Sequence, residues 1–176
     1  MKRIYVYVFA VVFLAASCGQ NESNKKNQPD NSKTSNTGET MEAPAGTEKV
    51  DFSDTVQLSA NQNMVFDKEL FRVKVGKKIR LIFKNTGAKS AMSMVHNVVI
   101  LNKGTDIADF AEVARIAKAE QYVPSSLASS IIAHTKTVSG GESDEVEFTI
   151  SQAGVYDFVC SYPGHWGTMQ GKIVAE

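Results

Sequence analysis

The sequence predicts an all-β chain, a β-sandwich with one inserted α-helix, preceded by a signal peptide and a disordered linker. Three observations predict it. Short segments of alternating polarity recur between turn signals, one stretch alone carries helical spacing, and a short apolar run followed by a polar stretch precedes them all. Several short strands separated by turns are the pattern of two packed sheets.

Residues 1–17 read as an export signal: Lys2 and Arg3 are followed by apolar residues 4–14 and by the small residues Ala15-Ala16-Ser17. The apolar run is shorter than the roughly 20 residues that span a membrane. Leu14-Ala15-Ala16-Ser17-Cys18 resembles a bacterial lipobox, in which the cysteine is acylated and becomes the mature N-terminus. Ala15 stands where a large aliphatic residue is usual. This reading implies an exported lipoprotein on the periplasmic or cell-envelope side, held to the membrane through Cys18. Residues 18–46 are Asn, Ser, Lys, Thr, Gln and Glu with almost nothing apolar, so they cannot offset their own ordering entropy and are expected to form a disordered tether. Residues 47–176 form the folded domain.

Within it, Val56-Gln57-Leu58-Ser59-Ala60 alternates, and residues 70–75 are rich in β-branched and aromatic side chains. Gly76-Lys77-Lys78 turns into Ile79-Arg80-Leu81-Ile82-Phe83. After Asn85-Thr86-Gly87 comes an irregular loop, then His96-Asn97-Val98-Val99-Ile100-Leu101, whose continuous apolar run fits a buried strand. Val146, Phe148 and Ile150 face one way and Glu145, Glu147 and Thr149 the other; Tyr156, Phe158 and Cys160 alternate likewise. Residues 105–121 are the exception. Ile107, Phe110, Ala111, Ala114 and Ala117 lie at helical spacing, Asp106 and Asp109 suit the positive end of the helix dipole, and Pro124 follows. One amphipathic helix packed on the sandwich edge is expected.

The chemistry is concentrated near the C-terminus. Cys160-Ser161-Tyr162-Pro163-Gly164-His165 and Met169 place a thiol, an imidazole and a thioether on one loop, in a C-x4-H-x3-M spacing. Such soft and borderline donors suit copper, and a second imidazole would complete a trigonal His2Cys set with a weak axial Met. The chain has three histidines. His96 begins a buried strand after a methionine-containing loop, whereas His134 sits among polar neighbours beside Gly140-Gly141 and reads as a surface residue. A lone Cys is usually a small core residue and a lone Met core filler; the joint spacing argues against both here. The formal net charge is +0, so nothing in it favours a nucleic acid partner.

His96-Asn97 together with Cys160-Ser161-Tyr162-Pro163-Gly164-His165-x3-Met169 resembles azurin and the auracyanins, within the cupredoxins. Ile132-Ala133-His134-Thr135-Lys136 before Gly140-Gly141 resembles the azurin stretch preceding its penultimate strand. The resemblance implies a cupredoxin-like Greek-key sandwich with one type 1 copper held by His96, Cys160 and His165, with Met169 axial. The Val95 carbonyl stands where a weak fifth contact is made in azurins, although Gly is usual there. Asn97 matches the residue that ties the two ligand loops together. The family's usual N-terminal disulfide has no cysteines here, and Val98 replaces its usual core Trp. Met64, Met94, Tyr162, Pro163 and Trp166 are placed as an apolar docking rim around His165, with Trp166 near the surface.

These residues point to single-electron transfer rather than catalysis. The resemblance implies a monomer whose partners are redox proteins, such as a c-type cytochrome or a membrane oxidoreductase. The rival reading is a copper chaperone or store, which would favour exposed Met, His or Cys clusters. A thiol enzyme would need a base and oxyanion donors that the motif does not supply. A multicopper oxidase would need more histidines than His134 provides.

Overall fold

Alternation along each strand decides what the two layers bury. The computed structural model describes residues 42–89 and 94–176. In β1 (Thr55–Ala60), Val56, Leu58 and Ala60 are buried while Thr55 and Gln57 are exposed. β2 spans Leu70–Val73 and β3 Lys78–Asn85, the latter burying Ile79, Leu81 and Phe83. β4 is Val99–Leu101, β5 Ile131–His134 and β6 Ser143–Thr149. β7 (Gly154–Val159) and β8 (Gln170–Ala175) close the chain. One sheet runs β1-β3-β6, with β1 parallel and β6 antiparallel to β3; the other runs β2-β8-β7-β4-β5. The chain alternates between the sheets in its first three strands, and the result is the expected Greek-key sandwich.

The main core lies between the sheets. Phe66 packs against Phe83 and Phe158 at ring-centroid distances of 6.1 and 5.5 Å, and Phe71 lies 5.4 Å from Phe158. Burying each such ring contributes on the order of 1.5–3 kcal/mol. β7 departs from simple alternation, because Val155, Asp157 and Val159 are buried as well as Tyr156 and Phe158. The outer face of this sheet is covered: Val99, Leu101 and Val159 form a second cluster with Phe110, Ala114 and Val123.

That second cluster explains the helix. α1 runs Ile107–Ala114, capped by Asp106, whose side chain accepts from the Asp109 N–H at 2.9 Å. A helix this short is marginal alone, so its stability comes from the buried face of Phe110, Ala111 and Ala114. The expected extent of 105–121 is too long. After Ala114, Ile116, Lys118, Ala119 and Glu120 are exposed and offer no face to bury. The chain leaves through a 3-10 turn at Lys118–Glu120 and two left-handed residues, Gln121 and Tyr122, which return Val123 to the cluster. The helix also covers the outer face of the larger sheet rather than its edge.

Two further strands differ from expectation. β4 is shorter than the expected apolar run, and His96 lies before it in an isolated bridge to Val138. β5 was not foreseen, because Ile131-Ile132-Ala133 is brief and only half-buried at a sheet edge. His134 ends β5 and is exposed, as expected.

All described residues belong to one unit, Gly38–Glu176. The expected signal peptide (1–17), Cys18 and most of the tether (18–46) lie outside the described residues. The first described element is a 3-10 turn at Thr47–Lys49, where the Thr47 hydroxyl donates to the Pro44 carbonyl at 2.7 Å. Strand register gathers the motif residues at one pole. Ala60 pairs with Asn85, Val99 with Val159, and Val159 with Gln170, so the segments carrying Asn61, His96, Cys160 and Met169 all emerge there.

Candidate metal centre

The C-terminal loop is closed by its own backbone. The Cys160 N–H donates to the Met169 carbonyl at 2.9 Å and the Met169 N–H to the His165 carbonyl at 3.0 Å. Between them the His165 N–H donates to the Tyr162 carbonyl at 3.1 Å. Gly164 makes this turn with φ 82, a left-handed conformation that few residues other than glycine adopt cheaply. Thr168 ties the loop to the segment after β1, its hydroxyl donating to the Met64 carbonyl at 2.8 Å.

His96 reaches the same place from the segment that leads into β4. Its Nδ1 lies 3.1 Å from His165 Nδ1, which lies 3.8 Å from Cys160 Sγ. The three donor atoms fall within 4.8 Å of one another. Typical metal bonds of about 2.0–2.1 Å to imidazole and about 2.3 Å to thiolate would make these separations subtend about 100° and about 120°. The three residues are placed to hold one metal ion between them. Met169 is fully buried on the same loop.

Surrounding groups fix each donor. His96 Nε2 lies 3.2 Å from the Asn61 carbonyl, which can only accept, so Nε2 carries the proton and Nδ1 presents its lone pair to the site. Asn97 makes a reciprocal pair across the two ligand segments: its Nδ2 donates to Ser161 Oγ at 2.8 Å, and the Ser161 N–H donates to Asn97 Oδ1 at 2.9 Å. A tie of this kind is what the family resemblance implies for Asn97. Asn85 and the Asn61 carbonyl were missed. A backbone acceptor leaves no trace in a sequence, and Asn85-Thr86-Gly87 reads only as a turn.

The site is dry. His96, Cys160 and Met169 are 0% exposed and His165 only 5%. Burial pushes the Cys160 thiol up to about 11, against the backbone N–H groups of Asn97 and Tyr162, which favour the thiolate. Burial, and secondarily His96, pulls His165 down to about 4. Burial also lowers His96, against its bond to Asn61. Both imidazoles are thus neutral near pH 7 and ready to ligate.

The expected rim residues are arranged unevenly. Met64 and Tyr162 pack against the main core, and the Tyr162 ring lies 4.8 Å from that of His165. Met94 and Pro163 are half-buried nearby in sequence. Trp166 is half-buried too, but it packs against the outer cluster instead of standing free at the surface. Val65, 40% exposed beside Met64, and Tyr122, whose ring lies 4.9 Å from that of Tyr162, are apolar neighbours that the sequence did not single out.

A β-sandwich with two imidazoles and a cysteine thiol converging at one pole defines a cupredoxin. Residues 53–176 match the family of copper-binding proteins described as plastocyanin/azurin, and the chain belongs to that family. It is 34% identical to an azurin of Alcaligenes faecalis over 122 residues, 67% of this chain and 94% of that one. It is 32% identical over 121 residues to the outer membrane protein H.8 of Neisseria meningitidis, 66% of this chain and 64% of that one. Among solved structures, the dithionite-reduced auracyanin of the photosynthetic bacterium Roseiflexus castenholzii superposes with a TM-score of 0.63 at 31% identity, covering 72% of this chain and 99% of that one. The protein is a blue copper electron-transfer protein with copper as its cofactor. Proteins of this kind carry electrons and are generally not enzymes.

Proposed function

We propose that His96, Cys160 and His165 hold a single type 1 copper, with Met169 as its weak axial ligand, and that the protein shuttles single electrons between redox proteins on the exported side of a bacterial membrane. The observation that carries this reading is the convergence of the three donor atoms within 4.8 Å in a buried site. Bound copper supplies a one-electron Cu(I)/Cu(II) couple. The chain supplies a fixed frame for it. Neutral imidazoles accept Cu(II), a thiolate and thioether favour Cu(I), and the hydrogen bonds of Asn61 and Asn97 keep the ligands from following either preference.

His165 is the point of electron exchange in this reading. It is the one member of the set with any exposure, and among the described residues no hydrogen bond engages its Nε2. The neighbouring Met64, Val65, Met94, Tyr162 and Pro163 supply an apolar surface for a transient partner such as a c-type cytochrome or a membrane oxidoreductase. Acylation of Cys18, followed by the tether, would keep the domain at the membrane; similarity to an outer membrane protein supports this placement. Copper storage or delivery is the weaker reading, because a fully buried thiol inside a rigid loop does not hand a metal on readily.

The test is substitution of the ligands one at a time. Cys160→Ser should abolish the intense thiolate-to-copper charge-transfer colour. Met169→Leu should keep the colour and raise the potential, since a donor to Cu(II) is lost without gain of an oxygen. Colour that survives Cys160→Ser would refute the assignment.

A further inference from the structure

Asn85 ends β3 as a fully buried polar residue, and its side-chain hydrogen bonds go to Met94, Val138 and Gly87 rather than to any proposed metal ligand. Its side chain makes three hydrogen bonds to three backbone segments. Nδ2 donates to the Met94 carbonyl at 2.7 Å and to the Val138 carbonyl at 3.1 Å, while Oδ1 accepts from the Gly87 N–H at 2.9 Å. Its backbone joins the same neighbourhood, with Asn85 N–H donating to Glu142 O at 3.0 Å and Gly141 N–H to Asn85 O at 2.8 Å.

The two carbonyls that Nδ2 holds are those that set the position of His96. Val138 and His96 form a reciprocal pair, His96 N–H to Val138 O at 3.1 Å and Val138 N–H to His96 O at 2.8 Å. The Val138 carbonyl therefore accepts both from the ligand's own amide and from Asn85. Met94 lies two residues before His96, so its carbonyl orients the peptides leading into the ligand. On the other side, Gly140 packs so closely on the Gly87 and Ala88 carbonyls that a Cβ there would collide with them. The segment before His96 and the β5–β6 connection are thus brought together at one side chain. A polar group this deeply buried is stabilising only while all its bonds are made.

We propose that Asn85 is a positioning residue of the copper centre, fixing the His96 backbone through the Met94 and Val138 carbonyls so that His96 Nδ1 is in place before metal arrives. The proposal rests on His96 being a ligand, but its first readout needs no metal. In the metal-free protein, amide hydrogen exchange at His96 and Val138 should quicken at least about tenfold in Asn85→Ala. The comparison is Val73→Ala, a core truncation at the far end of the sandwich that reports general loss of stability. Asn85→Asp keeps the acceptor for Gly87 but loses both donors, so it should loosen His96 and Val138 while sparing Gly87. Loaded with copper, both Asn85 variants should retain the charge-transfer band with altered copper hyperfine splitting, while Val73→Ala should not change it.

Unaltered exchange at His96 and Val138 in the Asn85 variants would overturn the proposal, whatever the colour. A colourless wild type would instead overturn the copper reading and leave the exchange result to stand. Should either variant fail to fold, the wild-type protein still decides: the Asn85 side-chain amide protons should exchange slowly in the metal-free state, and rapid exchange there would refute the proposed bonds.

Discussion

Replacing Asn97 by Ala tests whether the ligand segments are held together as described. Asn97 is 0% exposed and Ser161 2%, and they share two hydrogen bonds, at 2.8 and 2.9 Å. Each buried bond is worth about 1 kcal/mol net, and stranding the Ser161 N–H without a partner adds about 1–3 kcal/mol. The expected loss is therefore about 3–5 kcal/mol, a large part of the roughly 5–15 kcal/mol that stabilises a typical domain. Urea unfolding of the metal-free protein at pH 7 measures it, with the midpoint falling at unchanged slope. Ser161→Ala removes only the hydroxyl acceptor and should cost about 1–2 kcal/mol. The double variant should cost less than the sum of the two, by at least about 0.5 kcal/mol, because the shared bond can be lost only once. A loss below about 1 kcal/mol for Asn97→Ala, or strict additivity, would refute the reasoning.

The remaining predictions concern pH, docking and anchoring. Since His165 is depressed to about 4, unfolding takes up protons below the ordinary histidine range. The metal-free protein should hold its stability above about pH 6.5 and lose it progressively toward pH 4, with His96 adding in the same direction; an unfolding midpoint flat across that window would contradict the assignment. Met64→Lys should slow electron exchange with a native partner by at least about tenfold, equal to about 1.4 kcal/mol, at an unchanged copper spectrum. Lys77→Glu, exposed at the turn before β3, serves as the control, and stopped-flow kinetics with equal rates for both would place the exchange surface elsewhere. Cys18→Ser should release the protein from membranes with its copper site intact, and membrane fractionation with mass analysis of the unaltered chain should find acyl groups on Cys18.

Much of this architecture was legible because it depends on local rules. Alternation placed β1, β3, β6 and β7 on the correct faces; the C-x4-H-x3-M spacing singled out Cys160, His165 and Met169, and His96 was singled out by its place at the start of an apolar run. What escaped depends on tertiary context. β5 carries too few residues to show a period, and it is a strand because β4 offers it an edge. α1 stops at Ala114 since nothing lies beyond it to bury, which the helical spacing of Ala117 does not reveal. Trp166 follows His165 and therefore reads as a rim residue, yet it packs against the outer cluster of Val99, Leu101, Phe110, Ala114, Val123 and Val159. The supporting bonds of Asn61 and Asn85 were invisible because their partners are backbone atoms brought close only by the fold.

The most direct test of the account is a potentiometric titration of the copper-loaded wild-type protein, followed through its charge-transfer band. One copper per chain, bleached and restored reversibly along a one-electron curve while the metal stays bound, is the predicted result. A colourless protein with stoichiometric copper, or copper that leaves on reduction, would contradict electron transfer and favour a role in carrying the metal.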